Sequence, residues 1–492
     1  MIARRALAVG AAVAVAVAAA VGASAAPRPT PASLPADLRT AVVDPVTFGE
    51  GEKRAAFVNV RRTGATLTRL AIDWSVVAPE GAGRPDGFAA TRPDEPLYRW
   101  AGVDRQVRDA VAAGLSPILS ISGAPLWAQR RPEHRRPQDG PYRPSYRALA
   151  EFALAAARRY SGTFADLPRV RYWQVWNEPN FSFYLTPQTV AGRIVSAGWY
   201  RAMVNAMADA VHGVRRDNVV IAGGLAPYGA TTETLEGISP MLFMRTLLCM
   251  SAGPKPRRTC PNRITFDVWS HHPYTSGGPR HASSRQDDVS LGDMPEMNAL
   301  LRAAERAGVI RSPRRVGFWV TEFSWDTRPP DPKGLPLKLH ARWVSEALYR
   351  LWRSGVSVVT WYGIRDQPVD ASPNQSGLFN RGPGGIDTDT PKPSLQAFRF
   401  PFVAFRNARG RVSMWGRTPD RRRATVVVER EVPGGWRVVA RLRTTRTGMF
   451  TGTLPRSGRT WALRARIGRG ERSLPFSLVD QPDRDFCPFG SC

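Results

Sequence analysis

Two glutamates stand where strongly apolar segments end, and a pair of carboxylates delivered that way suits cleavage of an acetal. Glu178 lies in Trp176-Asn177-Glu178-Pro179-Asn180, directly after Val170-Arg171-Tyr172-Trp173-Gln174-Val175. That aromatic and β-branched run reads as a buried strand, and Pro179, which has no N–H to give a sheet ladder, should end it. Glu322 follows Val316-Gly317-Phe318-Trp319-Val320-Thr321, a second such run. Acetal cleavage needs a proton for the leaving oxygen and a partner for the anomeric carbon. In retaining enzymes the two carboxyl groups sit ~5–5.5 Å apart, so that one protonates while the other attacks. A single glutamate is most often half of a surface ion pair. Two that both close apolar strands are better explained as a catalytic pair, with Glu178 as acid/base and Glu322 as nucleophile.

The elements that must bring them together alternate along the chain. Strands are expected at Arg39–Thr47, Leu67–Trp74, Pro117–Ser122, Val170–Trp176, Val219–Gly223, Ile264–Ser270, Val316–Thr321 and Ser357–Trp361. Helical patterns fall between them at Tyr98–Ala113, Tyr146–Tyr160, Ala197–Val214, Pro295–Ala307 and Lys338–Ser354. Alternating elements of this kind give an α/β fold, and eight strands give a (β/α)8 TIM barrel, whose functional residues gather where strands end. A doubly wound open sheet is the competing fold, but the chain has no complete G-x-G-x-x-G. From about Arg406 short alternating runs, Thr425–Arg430, Trp436–Leu442, Met449–Leu454 and Trp461–Ile467, read as a small antiparallel β-sandwich domain. The expected organisation is residues 1–25 as a signal peptide, 38–405 as the barrel, 406–480 as the small β-domain and 481–492 as a tail. No exposed aromatic row marks the β-domain as a carbohydrate-binding module, so a structural appendage is the expected role.

Trp173 to Asn180 resembles the acid/base motif of the clan A retaining glycoside hydrolases, family 39 first and the cellulase-like family 5 second. The resemblance covers about Arg39 to Phe400. It implies that the acid/base follows strand four and the nucleophile strand seven, which matches Glu178 and Glu322. It further implies roles for five other residues. Arg69 resembles the strand-two arginine that keeps the nucleophile ionised, and Asn177 should hydrogen-bond the sugar 2-hydroxyl. In His272-Pro273-Tyr274, similar to the clan's His-x-Tyr pattern, Tyr274 would hydrogen-bond the nucleophile and His272 would bind or orient sugar hydroxyls. Trp361, ending strand eight, is a candidate platform beneath the scissile sugar. The segment Glu322-Phe323 departs from the Glu-Trp more common in family 39.

The net charge is +28, yet five of the 69 cationic residues are lysine and the arginines are spread from end to end. Codon bias in a GC-rich genome accounts for that better than a nucleic-acid footprint, which should cluster on one face. A basic surface would still suit an acidic polysaccharide or an anionic cell wall. Arg4-Arg5, the apolar run Ala6–Val21 and Ala23-Ser24-Ala25 form a signal-peptide pattern, so an exported, extracellular protein is expected. No other segment is apolar enough to span a bilayer. Four cysteines then suggest two local disulfides, Cys249–Cys260 and Cys487–Cys492, with zinc as the alternative use. No cofactor and no metal are expected. A metal at His271-His272 is disfavoured because adjacent strand residues face opposite sides. The chain also lacks a G-x-S-x-G elbow, an H-E-x-x-H site and a Walker loop. The expected partner is a β-linked glycan and not a nucleic acid. The rival reading from another class is a catalytically inactive barrel that binds carbohydrate or the cell surface; turnover of an aryl β-glycoside separates the two.

Overall fold

The structure, a computed structural model, describes residues 34–49, 53–130, 138–230, 232, 235–370, 374–456 and 461–479 of the 492. The signal-peptide pattern and the Cys487–Cys492 pair lie outside them. Eight strands close a parallel barrel: β1 (Arg39–Val43), β2 (Leu67–Asp73), β3 (Ser116–Ser122), β4 (Tyr172–Val175), β5 (Val219–Leu225), β6 (Val268–His271), β7 (Gly317–Val320) and β8 (Val358–Tyr362). The main helices around it are α1 (Lys53–Arg62), α2 (Ala101–Ala112), α3 (Tyr146–Arg159), α4 (Ser196–Val214), α5 (Pro240–Leu248), α6 (Met294–Arg306), α7 (Leu337–Arg353) and α8 (Pro393–Arg399).

Alternation along the strands sorts side chains into two cores. One set points inward at the base of the barrel: Ala41, Leu67, Ile118, Val219, Ile221, Val268, Trp319 and Val358. The other set, including Leu70, Ile72, Trp173, Trp269, Phe318, Val320 and Trp361, packs outward with the helices. Two residues further along the inward rows the character changes. Arg69, Ser120, Gln174, Ser270, Thr321 and Thr360 are all buried and polar. A polar layer above an apolar plug places hydrogen-bonding groups at the ends of the strands where Glu178 and Glu322 emerge.

The sixth strand is shorter than its sequence suggests. Asp267 interrupts the run, its Oδ2 accepting from the Val220 backbone N–H at 2.9 Å and meeting His212 Nε2 at 2.9 Å. Ile264–Thr265 therefore leaves the barrel and pairs with Ile310–Arg311. Helices α1, α5 and α8 fall outside the expected set, although Ser239-Pro240 is a recognisable helix start.

Beyond the barrel, β9 (Phe402–Arg406), β10 (Arg411–Arg417) and β13 (Met449–Arg456) form one antiparallel sheet. A second contains β11 (Thr425–Val432), β12 (Gly435–Arg443), β14 (Ala462–Ile467) and β15 (Glu471–Arg472), with β16 (Phe476–Ser477) paired to β14. Strands β9, β10, β15 and β16 fall outside the expected set of short runs. Cys249 and Cys260 form a disulfide that closes the loop after α5. Among the described residues no helix is long and apolar enough to cross a membrane.

Candidate active site

The Trp-Asn-Glu-Pro-Asn segment is a rigid turn with every residue committed. The Trp176 backbone N–H donates to the Ile121 carbonyl at 2.7 Å and its indole N–H to the Tyr184 carbonyl at 2.7 Å. Asn180 clamps the loop after β5: its Oδ1 accepts from the Ala226 N–H at 2.9 Å and its Nδ2 donates to the Ile238 carbonyl at 2.9 Å. Trp176 and Glu178 hold φ of 66° and 41°, left-handed values that non-glycine residues avoid unless their surroundings enforce them. The Glu178 N–H donates to the Gly224 carbonyl at 3.0 Å. Gly223 and Gly224, at φ of 92° and 59°, make that approach feasible; a Cβ on Gly223 would lie 2.3 Å from the Ser270 carbonyl oxygen.

Arg69 is the hub of the polar layer. Its Nε donates to Gln174 Oε1 at 2.9 Å and its Nη2 to Ser120 Oγ at 3.2 Å, which fixes the plane of the fork. Nη1 then reaches Glu322 Oε2 at 2.9 Å and Nη2 reaches Asn177 Oδ1 at 2.7 Å. Because a guanidinium only donates, the Asn177 oxygen must face it, and the amide NH2 is left as a donor. The second carboxylate oxygen of Glu322, Oε1, accepts from the Tyr274 hydroxyl at 3.0 Å. Burial, followed by the charge of Glu322, pushes the Tyr274 hydroxyl well above its ordinary pKa, so it remains a donor. Glu322 is thus held at both oxygens beside a fixed cation. Arg69→Lys keeps the charge and loses the fork, so it is expected to lower kcat by about 10²-fold with the fold retained. Steady-state kinetics alongside circular dichroism would check this.

Glu178 has the opposite environment. Burial raises its carboxyl to about 7, against the opposing pull of Arg69. Its Oε1 lies 2.9 Å from His272 Nδ1, and His272 Nε2 lies 3.2 Å from Thr321 Oγ1. Burial lowers His272 to about 3, so the ring is neutral near pH 7. A neutral imidazole has one donor and one acceptor, and a hydroxyl can do either. The Thr321–His272 pair therefore satisfies Glu178 as an acid, by accepting at Nδ1, and as a carboxylate, by donating from it. The His272 side chain is 0% exposed, and the partner it meets is the Glu178 carboxyl, where a contact with sugar hydroxyls was expected. His272→Ala is expected to lower kcat by about 10- to 100-fold while KM stays within a few-fold, since the ring is fully buried. A large rise in KM with unchanged kcat would contradict that.

Donor atoms of Glu178, His272 and Glu322 all lie within 4.8 Å of one another. Such a cluster could in principle hold a metal ion, but here Arg69 already supplies the positive charge. His271 points the other way, with its Nε2 2.9 Å from the Val289 carbonyl.

Six of the seven expected residues, Arg69, Asn177, Glu178, His272, Tyr274 and Glu322, converge on one another. Trp361 does not. Its parity is outward, it is 1% exposed, its indole N–H donates to the Ser376 carbonyl at 2.8 Å, and it packs against Phe323, His340 and Phe398. A stacking platform needs an open face, and Trp361 has none. The next residue, Tyr362, shares the inward parity of Val358 and Thr360, and its hydroxyl is pushed up by burial and by Glu322. Tyr184 is likewise raised by burial and then by both glutamates. Counting alternate residues from Val358 would have found Tyr362; nothing in the sequence signalled Tyr184.

The chain resembles clan A glycoside hydrolases in fold as well as in motif. A family 39 glycoside hydrolase from Bacteroides cellulosilyticus WH2 shares 17% identity over 86% of this chain and 79% of its own, with a TM-score of 0.50. A family 39 enzyme from Xanthomonas axonopodis pv. citri shares 15% over 85% of this chain and 91% of its own, at 0.49. A family 30 endoxylanase from Clostridium papyrosolvens C71 shares 12% over 85% and 94%, at 0.45. No protein-family model and no curated protein sequence matches the chain. At these identities the likeness speaks to the fold.

Proposed function

We propose that this chain is a retaining glycoside hydrolase acting on β-linked poly- or oligosaccharide, with Glu178 as acid/base and Glu322 as nucleophile. The observation that carries the proposal is the contrast between the two carboxyl groups. They lie within 4.8 Å at donor atoms, one paired with a buried cation and the other raised to about 7. Paired carboxyl groups with divided roles in one sugar-sized gap are what double displacement requires. Glu322 attacks the anomeric carbon as Glu178 gives its proton to the leaving oxygen. Glu178, then ionised, takes a proton from water, which displaces Glu322 and releases the sugar with its configuration retained. The Asn177 NH2 supplies a donor for the 2-hydroxyl. The N-terminal signal pattern and the positive charge support action outside the cell, with association with an anionic cell wall.

The test is hydrolysis of a panel of aryl β-glycosides, with the anomer released followed by NMR. Retention at the first turnover is expected. A 2-deoxy-2-fluoro glycoside with an activated leaving group should label Glu322, read by peptide mass. No turnover on any member of the panel, or label on another residue, would sink the proposal.

A further inference from the structure

A cleft of about 240 Å³ lies apart from the residues of the carboxylate site, lined by Trp127, Gln129, Arg130, Arg143, Tyr146, Arg147 and Trp199 among others. We propose that it is a binding site for an acidic saccharide residue, a uronate of the glycan whose backbone the carboxylate pair would cleave. The inference rests on the glycosidase reading for the word backbone only; the binding itself is independent of turnover.

The chemistry of the lining carries it. Three aromatic rings in one cleft suit the apolar face of a pyranose. Their polar edges are already satisfied: the Trp127 indole N–H donates to the Pro79 carbonyl at 3.0 Å and that of Trp199 to the Pro144 carbonyl at 2.8 Å. Trp127 also packs against Trp74, Phe88 and the Arg84 guanidinium, so the ring surface left for a sugar is chiefly that of Trp199 and Tyr146, which meet each other edge-on at 6.1 Å. The three guanidiniums supply the complement for a carboxylate, and among the described residues none of them meets an acidic side chain. Arg143 holds φ of 44°, with its N–H donating to the Thr186 carbonyl at 2.8 Å. A bulky residue kept in the left-handed region is a strained placement, of the kind that clusters at ligand clamps. Helix α3 begins at Tyr146, with Ser145 as its side-chain cap, so its positive end faces the cleft as well.

Position supports the same reading. Trp127 to Arg147 follow β3, Trp199 follows β4, and the ends of those strands are where the catalytic face lies. The wall carrying Arg143 is tied to the loop of Glu178: Gly140 donates to the Ser182 carbonyl at 2.8 Å, and Phe181 donates to the Glu178 carbonyl at 2.9 Å.

The experiment uses the full chain with Glu322→Gln, so that nothing is turned over. Oligogalacturonate and oligoglucuronate are titrated against it by tryptophan fluorescence and calorimetry, with a cello-oligosaccharide of matched length and inorganic polyphosphate as controls. Saturable quenching by a uronate oligomer is expected. It should weaken at least tenfold in Arg130→Gln/Arg143→Gln/Arg147→Gln and in Trp199→Ala, and the neutral oligomer should bind at least tenfold more weakly. The proposal is overturned by no binding of either uronate, by equal binding of the neutral oligomer, or by polyphosphate binding as well as uronate in both variants. Activity of the wild type on aryl glycosides, measured separately, tests the glycosidase reading and leaves this result untouched.

Discussion

Glu322→Gln is expected to lower kcat by on the order of 10⁴-fold or more, the scale seen when a member of a covalent catalytic set is removed. The amide keeps the shape, but only its oxygen accepts: it can serve Arg69 or Tyr274, whose bonds to Glu322 are 2.9 and 3.0 Å, and its NH2 must face the other. What it loses is the anion that bonds to the anomeric carbon. The variant also leaves the buried Arg69 without its partner, which costs stability of about 3 kcal/mol or more. A thermal melt must therefore accompany the kinetics. The stricter form is Glu322→Gly with external azide. If Glu322 is the nucleophile, azide takes its place on the same face, and the product is a glycosyl azide of inverted configuration. A variant with wild-type rates would end the assignment.

Glu178→Ala should divide the reaction by leaving group. Substrates that need protonation should slow by about 10³-fold, within the range for general acid catalysis. Aryl glycosides with an activated leaving group should still glycosylate Glu322 and then stall, because no base activates water. Azide, which needs no base, should restore turnover and give a product of retained configuration. The pH profile carries the second half of the expectation. Glu178 must be protonated for the first step and titrates at about 7, so kcat/KM in the wild type should fall above pH 7. That limb should vanish in Glu178→Ala with an activated substrate. The same burial affects stability, and its sign follows from the raised folded value. The acid form is the one the fold favours, so the contribution is complete below about 4.5 and is lost as pH rises through about 7. Glu178→Gln should accordingly melt higher than the wild type at pH 8, the opposite of what a purely structural carboxylate would do.

The barrel was legible because each strand is a short β-rich run bounded by turn residues, and period-two alternation survives even where both faces are buried. The placement of Glu178 and Glu322 was legible because Pro179 and the apolar run before Glu322 mark strand ends without reference to anything distant. The failures share one cause. Trp361 was chosen by residue type when parity decides: it faces the helices, and Tyr362 faces the barrel. For His272, expected to bind or orient sugar hydroxyls, the pairing with the Thr321 hydroxyl at the end of another strand is not readable locally. Tyr184 feels the charge of both glutamates from a loop whose carbonyl is held by the Trp176 indole. The split of the sixth strand follows from Asp267 bonding two elements that lie far from it in sequence. Local pattern gives strand ends, and tertiary partners decide what each end does.

Arg417 has a consequence for anyone trimming this protein to a minimal catalyst. It lies on β10 at 0% exposure, yet its guanidinium donates to the Leu38 carbonyl at 3.1 Å, to Thr40 Oγ1 at 3.3 Å and to the Phe398 carbonyl at 3.0 Å. Trp415 on the same strand packs against Tyr349 and Trp352 of α7, and Arg342 of α7 sits 3.9 Å from the Phe476 ring centre. The small sheets are therefore grafted onto the first strand and the seventh helix, not strung behind the barrel on a leash. Cutting the chain after α8 would strip a greasy seam and strand three carbonyl or hydroxyl acceptors in it. The sheets that follow α8 behave as a keel and not as detachable cargo.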